Sequence, residues 1–302
     1  MTIPKDNLVP PAAESPKGLA LAVSSYLIWG LMPLYFALTI GIDPIEVLAH
    51  RIVWSVPIAL AVLWWLGRTS DLRAALTNPR MLGMAMLTAL LVSINWGTYI
   101  YALQTGRAME TALGYYINPL LAVLMGRVLL GEKLDGLQIA AVCLAALGVA
   151  ILTWEAGELP LIAVAITLSW AFYSYFRKSL PIGANQGFAL EVLLLLPLGL
   201  AALAWFETTP EGGVLGRGDP AQIGLMLLAG VLSAVPLLLY GNGAKLLRLT
   251  TLGVLQYISP TIVFLLSIFV LGENFDGARQ VAFPMIWGAV ALYSLAMFRR
   301  NR

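Results

Sequence analysis

The stretch LGYYINP at residues 113–119 recurs as VLQYISP at residues 254–260, which lies 141 positions later in the chain. The two stretches align without a gap, so that Tyr116 falls on Tyr257 and Pro119 on Pro260. Both lie inside long apolar runs. We therefore interpret them as equivalent parts of two related transmembrane helices.

The same offset of 141 extends outward from these stretches in both directions. It aligns Trp29 with Trp170, Tyr99 with Tyr240, Gly131-Glu132 with Gly272-Glu273, and Asp135-Gly136 with Asp276-Gly277. Leucine matches alone would be chance, but tryptophan, proline, Gly-Glu and Asp-Gly matches in one register are not. The chain is therefore predicted to contain two copies of one structural unit.

Composition places both copies in a lipid bilayer. Of the 302 residues, 60% are hydrophobic and 11% are charged, whereas soluble proteins carry about 25% charged residues. A helix needs about 20 apolar residues to cross the hydrocarbon core. Ten such runs can be read, at residues 17–39, 44–66, 80–104, 108–129, 136–154, 159–177, 187–206, 221–243, 250–271 and 278–298. The predicted fold class is an all-α integral membrane protein with ten transmembrane helices.

Each copy holds five helices, an odd number, so the second copy enters the membrane upside down relative to the first. We predict one repeat at residues 17–154 and an inverted repeat at residues 159–298. A disordered cytosolic tail at residues 1–16 and a short cytosolic tail at residues 299–302 would flank them. Inverted repeats are typical of alternating-access transporters, whose substrate binds between the repeats near the membrane midplane.

Basic residues indicate the orientation in the membrane. Of the 18 lysines and arginines, fourteen fall on the side of the N-terminus and one, Arg51, lies inside a predicted helix. The remaining three, Arg107, Arg217 and Arg279, fall on the opposite side. Cytoplasmic loops carry the excess of lysine and arginine. We therefore predict a multi-pass protein of the cell inner membrane with both termini in the cytoplasm.

Composition also limits cofactors and partners. The net charge of +2 is too small to indicate nucleic-acid binding. A single cysteine, Cys143, excludes a disulfide within the chain, and a single histidine, His50, excludes a multi-histidine metal site. We expect no cofactor and no metal. The expected partners are the lipid bilayer and a small-molecule substrate, and a monomer is compatible with the sequence.

Four motifs in the first half carry a resemblance to a known family. They are YLIWGLMP at residues 26–33, HRIVWS at 50–55, NWGTY at 95–99 and LGYYINP at 113–119. In the second half, LQYISP at 255–260 and Gly272-Glu273 agree with them. The chain resembles the RarD subgroup of the EamA family, in the drug/metabolite transporter superfamily, which includes amino-acid exporters such as YddG. The resemblance implies a ten-helix exporter and does not identify its cargo.

Polar and aromatic side chains inside the apolar runs are the candidates for a transport path, because polar groups are costly in lipid unless they face a cavity. The expected substrate-binding residues are Trp29, Asn95, Trp96, Tyr99, Tyr115, Asn118, Trp170, Tyr173, Tyr240, Gln256 and Ser259. The alternative is that the amides and hydroxyls join helices by hydrogen bonds and that the rings fill space between helices.

His50 and Glu191 are repeat mates and the most conspicuous titratable groups in the apolar runs. Together with Arg51 they are candidate gating or proton-sensitive residues. The alternative is that they extend to the membrane surfaces, where Glu191 would approach Arg177 and His50 would approach Glu46. A dedicated proton carrier at the midplane is not evident, which favours facilitated diffusion over proton antiport.

The turn between the fourth and fifth predicted helices contains Gly131-Glu132 and Asp135-Gly136. We interpret the glycines as helix ends and the acids as caps for the helix that follows. Small residues on the fifth and tenth helices, such as Ala141 and Ala145, are expected to pack the two halves together.

The favoured function is export of small metabolites, with amino acids as the substrate class. Aromatic walls with a few amide and hydroxyl groups suit a zwitterion that carries an apolar side chain. One alternative is a drug or other metabolite exporter coupled to protons. Another is an integral-membrane enzyme acting on lipids, but such enzymes cluster carboxylates or histidines at a membrane face. The sequence has scattered acids there, so we expect no enzyme.

Overall fold

The computed structural model describes residues 15–39, 41–104, 108–156, 161–269 and 277–300. This described part is helical, with connecting turns and without a β-strand. Its helices are α1 (Pro16–Leu38), α2 (Pro44–Trp65), α3 (Thr69–Leu76), α4 (Pro79–Gln104), α5 (Ala108–Leu129), α6 (Gly136–Ala156), α7 (Leu161–Ser179), α8 (Ala184–Glu207), α9 (Val214–Arg217), α10 (Pro220–Leu246), α11 (Leu249–Leu255), α12 (Ile258–Phe269) and α13 (Arg279–Arg300). The predicted tail before residue 15 and the second-copy motif at residues 272–276 lie outside the described residues.

Helix starts follow from short sequence signals. Ser15, Asp43 and Asp219 precede α1, α2 and α10, and each side chain accepts a hydrogen bond from a backbone N–H of the first turn. A proline follows each cap at the first helical position, where its missing N–H costs nothing. After α2, Gly67 has a φ of +64°, a left-handed conformation that favours glycine and ends the helix.

Six helices of the described part are long and apolar enough to cross a membrane: α1, α2, α4, α6, α8 and α10. Large apolar side chains such as Leu38, Trp65 and Leu198 are exposed around them, where a soluble protein would present polar groups. The predicted spans at 108–129, 159–177 and 278–298 fall on α5, α7 and α13. The chain is therefore an all-helical multi-pass membrane protein.

Three segments differ from the expected helix pattern. The connections at residues 67–79 and 207–220, read as loops, contain the short helices α3 and α9. The single helix expected at residues 250–271 is divided into α11 and α12, with a turn at Gln256 and Tyr257. Pro260 weakens the helix at this point, because its ring removes one backbone donor and crowds the carbonyl of Gln256 four residues earlier.

The bundle has two ends, which contacts between helix termini define. At the near end, where α1 begins and α7 and α10 end, Gly18 lies against Leu246, and Lys178 donates to the carbonyl of Leu247. At the far end, Ile42 packs with Val214 of α9. The first half of the chain, before residue 157, thus contacts the second half at both ends of the bundle.

The two halves interdigitate along the bundle. α1 packs against α10, α4 against α7, α2 against α8, and α6 against α13. Ser25 donates to the carbonyl of Pro236, and Asn95 donates to that of Ile166. Ile166 and Pro236 lie 141 residues after Ser25 and Asn95, so the two hydrogen bonds join equivalent positions of the two halves.

Small residues bring α6 and α13 into close contact, as the sequence predicted. A Cβ added to Gly148 on α6 would lie 3.0 Å from the carbonyl oxygen of Ala282 on α13. Ala141, Ala145 and Ala289 are buried in the adjoining apolar clusters. This seam joins the two halves through van der Waals packing, which drives helix association in lipid.

Candidate functional site

A small void lies between α2, α4, α8 and α10, and we call it the axial void. Its walls include Arg51, Trp96, Glu191, Val192 and Leu237. Val192 and Leu237 lie 141 residues after Arg51 and Trp96, so two repeat-mate pairs border it, as they would at an axis relating the halves. The void has room for about one water molecule, so the site is closed in this conformation.

Arg51 is held in the wall of the axial void by three contacts. Its Nε donates to Ser233 Oγ at 2.8 Å. Its guanidinium carbon lies 4.2 Å from the ring centroid of Trp96 and 5.7 Å from that of Phe36. The side chain is 7% exposed. Arg51 therefore stays inside the bundle instead of extending to a membrane surface, which corrects that alternative.

The charge of Arg51 has no counter-ion among the described residues. No carboxylate in that part of the chain forms an ion pair with it. A cation–π contact contributes about 0.5–2 kcal/mol, whereas burying an ion costs several kcal/mol. The rings of Trp96 and Phe36 thus leave much of this cost uncompensated. Arg51 is the strongest functional candidate in the bundle by this argument.

Glu191, on the opposite wall, is ion-paired. Its Oε1 lies 3.5 Å from Nη1 of Arg177, and its Oε2 accepts from the Tyr173 hydroxyl at 3.5 Å. Arg177 is 2% exposed and also donates to the carbonyl of Ala184 at 2.5 Å. The predicted approach of Glu191 to Arg177 is confirmed, but it occurs in the buried interior. The guanidinium turns inward from the helix end.

Two glycines make room for the Arg177 guanidinium. A Cβ on Gly187 would overlap Nη1 of Arg177, and a Cβ on Gly241 would lie 3.1 Å from Nη2. Gly187 therefore requires the smallest side chain while the ion pair is present, whereas a side chain at Gly241 would make a tight contact that a small shift can relieve. Sequence reasoning missed this pocket and placed Arg177 in a cytoplasmic flank.

Replacing Gly187 with alanine is expected to displace the Arg177 guanidinium and lower stability. Overpacking costs about 1–3 kcal/mol, so the thermal unfolding temperature of the purified protein should fall by several degrees. Gly224→Ala on α10 is the matched control, since nothing lies within 4 Å of a Cβ there. Equal unfolding temperatures for the two variants would contradict the assigned packing.

Four predicted aromatic residues meet in one cluster beside the axial void. Trp29 and Trp170 are repeat mates and contact each other edge to face, with centroids 5.2 Å apart. Tyr240 lies 5.6 Å from Trp29 and 5.5 Å from Trp170, and Tyr173 lies 5.3 Å from Trp170. Tyr26 completes this aromatic cluster, 5.7 Å from Trp29. In this conformation the rings fill one another's space.

A second group of rings surrounds Arg51. Phe36 lies 6.1 Å from Tyr99, and Tyr99 lies 6.1 Å from Tyr115. With Trp96, the predicted residues Tyr99 and Tyr115 thus belong to the surroundings of the guanidinium. Sequence analysis selected the rings and did not connect them to the arginine.

The predicted amide and hydroxyl residues have different positions. Asn95 donates to Ile166 O and Ser169 Oγ on α7, and Ser259 donates to Tyr26 O on α1, so both join helices. Gln256 is buried at the junction of α11 and α12. Asn118 is fully buried, and neither atom of its amide has a hydrogen-bond partner in the described part of the chain.

His50 and Glu46 belong to the far end and are buried, not exposed at a surface. His50 Nδ1 accepts from Trp54 Nε1 at 3.1 Å, and His50 Nε2 lies 4.0 Å from Glu46 Oε1. The Glu46 carboxylate accepts from the backbone N–H of Val214 at 2.5 Å and lies 3.8 Å from Arg217 Nη2. Glu46 therefore joins α2, in the first half, to α9, in the second half.

Glu132 makes the equivalent connection at the near end. Its carboxylate accepts from the backbone N–H groups of Leu249 and Thr250, at 2.7 and 2.9 Å. The prediction that it caps the next helix is wrong, because the carboxylate reaches α11 of the other half. Asp135 does cap α6, by accepting from Gln138 N at 2.8 Å. Of the two acids in this turn, Asp135 caps the helix that follows it, and Glu132 joins the two halves.

Apolar helices that surround a closed void, with Arg51 and Glu191 among its lining residues, define a multi-pass membrane protein with a buried site between its two halves. Residues 16–154 match the EamA-like transporter family. An uncharacterized transporter of Vibrio cholerae is 39% identical over 290 residues, which cover 95% of each chain. The chain belongs to the EamA-like transporter family.

The chain is also similar to a named relative and to a solved structure. Protein RarD of Escherichia coli is 35% identical over 293 residues, covering 96% of this chain and 98% of that one. A protein crystal structure with 22% sequence identity superposes with a TM-score of 0.72, over 94% of this chain and 99% of that chain. The superposition shows the shared fold, and the relatives' names indicate a transporter and not an enzyme.

Proposed function

We propose that this protein exports small metabolites, with amino acids as the substrate class, across the cell inner membrane by alternating access. The observation that carries the proposal is the axial void, where two repeat-mate pairs, Arg51/Val192 and Trp96/Leu237, border one closed site. A substrate site at a repeat interface is the arrangement that alternating access uses.

The inverted-repeat architecture with ten membrane crossings is part of this proposal. The equivalent hydrogen bonds from Ser25 to Pro236 and from Asn95 to Ile166 support it. The edge-to-face contact of Trp29 with Trp170 supports it as well, because two repeat mates meet directly at a two-fold axis. A rocking motion of the halves would then open the void to either end.

Cytoplasmic termini and an inner-membrane location also belong to the proposal, with the near end facing the cytoplasm. Lys178 and Lys245 lie there and donate to each other's helix termini, Lys178 to Ala244 O and Lys245 to Lys178 O. Lysine at a helix C-terminus complements the negative end of the helix dipole. This basic end agrees with the excess of lysine and arginine on cytoplasmic loops.

The two walls of the axial void suit a zwitterion. Arg51 provides a cationic group and Glu191 an anionic one, while Phe188 and Leu237 provide apolar surface in the same lining. We therefore propose amino acids with apolar side chains as substrates, and a relation to amino-acid exporters such as YddG within the drug/metabolite transporter superfamily. Facilitated diffusion is the proposed energetics, since the Glu191 charge is matched by Arg177.

Counterflow in proteoliposomes tests this function. Vesicles loaded with a mixture of amino acids are expected to accumulate a labelled apolar amino acid, without a requirement for a pH gradient. Trp96→Ala should slow uptake by about tenfold or more, because it removes the ring over Arg51. Trp205→Ala, at an exposed far-end position, is the matched control and should keep the rate.

Absence of counterflow for every amino acid would overturn the substrate class. Uptake that requires an imposed pH gradient would instead support the proton-coupled alternative.

A further inference from the structure

The unmatched charge of Arg51 points to what the substrate must carry. Among the described residues, the guanidinium donates one hydrogen bond, from Nε to Ser233 Oγ, and its two terminal nitrogens donate none. Trp96 covers one face of the guanidinium plane, 4.2 Å away. Arg51 lines the axial void, and the edge formed by Nη1 and Nη2 is the part of its side chain that makes no hydrogen bond with a described residue.

Ser233 fixes the direction of this edge. Its hydroxyl donates to the carbonyl of Ala229 at 2.7 Å, which leaves its oxygen oriented to accept from Arg51. A guanidinium held at Nε and covered on one face keeps a single orientation, so little freedom is lost when a ligand binds. Paired N–H groups in one plane match the geometry of a carboxylate.

We propose that Arg51 is the specificity-determining residue of this transporter, binding the substrate's carboxylate through Nη1 and Nη2. This inference rests on the proposed function and deepens it by assigning one substrate group to one side chain. The substrate carboxylate supplies the counter-charge that no described residue provides near Arg51. An ammonium group at the other end of the substrate would face the Glu191 carboxylate, whose Oε1 lies 3.5 Å from Nη1 of Arg177.

The pairing of Glu191 with Arg177 defines the charge balance of the site. That pair sums to zero, so the Arg51 guanidinium leaves the walls of the void with one excess positive charge. An amide or ester analogue of the substrate would leave this charge unmatched. Carboxylates are therefore expected to bind more tightly than their amides, and this difference should depend on Arg51.

Ligand-induced thermal stabilisation of the purified protein measures this difference directly. The probes are the amino acids, their amides, and monocarboxylates that lack an ammonium group, such as 3-phenylpropionate with 3-phenylpropanamide. For wild-type protein, the acid of each binding pair should have an apparent Kd at least about tenfold lower than the amide. In Arg51→Gln the two members of a pair should bind equally.

Two further variants keep the test decisive. Arg51→Lys keeps the charge without the paired N–H geometry and should retain part of the acid preference. Arg80→Gln removes an exposed arginine at the start of α4 and should retain all of it. If Arg51→Gln does not fold, the wild-type acid and amide affinities together with Arg51→Lys still decide the outcome.

The proposal is overturned if no carboxylate stabilises the wild-type protein, if amides bind as tightly as acids, or if Arg51→Gln keeps the preference. One further result would distinguish failure of the carboxylate site from failure of the proposed function. If monocarboxylates bind through Arg51 and amino acids do not, the carboxylate site is supported and the amino-acid substrate class fails.

Discussion

Arg177→Met is expected to lower the free energy of unfolding by about 3–5 kcal/mol, because it leaves the Glu191 carboxylate buried without its cation. Both partners are almost fully buried, 2% exposed each. The Arg177 guanidinium also donates to the carbonyl of Ala184, and this hydrogen bond is lost as well. Thermal or denaturant unfolding in detergent measures the loss.

The matched control is the double variant Arg177→Met, Glu191→Leu. Replacing both members of a buried ion pair with apolar residues removes the unpaired charge, so the double variant should recover most of the lost stability. Additive losses in the two single variants and the double variant would contradict a direct interaction between the side chains.

Glu132→Ala is expected to open the near end. The change removes two hydrogen bonds to a charged acceptor, which link the turn after α5 to Leu249 and Thr250 of α11. Each such bond contributes about 1.5–3 kcal/mol. If this connection holds the near end closed, its loss shifts the population toward open forms by at least about tenfold.

Labelling of a buried cysteine measures this opening. Leu252→Cys, one turn inside α11 and 1% exposed, serves as the reporter in a Cys143→Ala background, because Cys143 is exposed. A membrane-impermeant thiol reagent should modify it at least about tenfold faster in Glu132→Ala. Asp135→Ala is the matched control, since Asp135 caps its own helix. A similar acceleration in both variants would mean that general loosening, not release of the halves, is responsible.

Hydropathy predicted most of the helical pattern. The apolar runs that begin at residues 44 and 221 agree with the starts of α2 and α10 to within a residue, and the structure adds the caps Asp43 and Asp219. The break before Pro260 was not predicted, because a proline does not always interrupt a transmembrane helix. Pro119, the repeat mate of Pro260, lies inside the continuous helix α5. Proline therefore weakens a transmembrane helix without always breaking it.

The polar site was less accessible to sequence reasoning, because hydrogen-bond partners come from distant helices. Asn95 was expected in a cavity and instead joins α4 to α7. Arg177 was assigned to the cytoplasmic side by its position at a helix end, although Gly187 on α8 makes space for it inside the bundle. Conversely, Arg51 and Glu191 were recognised as unusual charges in lipid, and both line the axial void.

The two carboxylates that join the halves suggest how the void is closed. Glu46 binds the backbone of α9 at the far end, and Glu132 binds the backbone of α11 at the near end. Each belongs to the first half and accepts from the second. In the proposed alternating-access cycle, transport requires that these two connections break one at a time.

Distances across the two ends test this account most directly. In the Cys143→Ala background, spin labels at Lys133 and Pro181 would report the near end, and labels at Ile45 and Ala221 would report the far end, all at exposed positions. In nanodiscs with a saturating amino acid, we predict two populations, each with one end widened and the other end narrow. A single unchanged distance at both ends, or widening of both ends together, would contradict alternating access around the axial void.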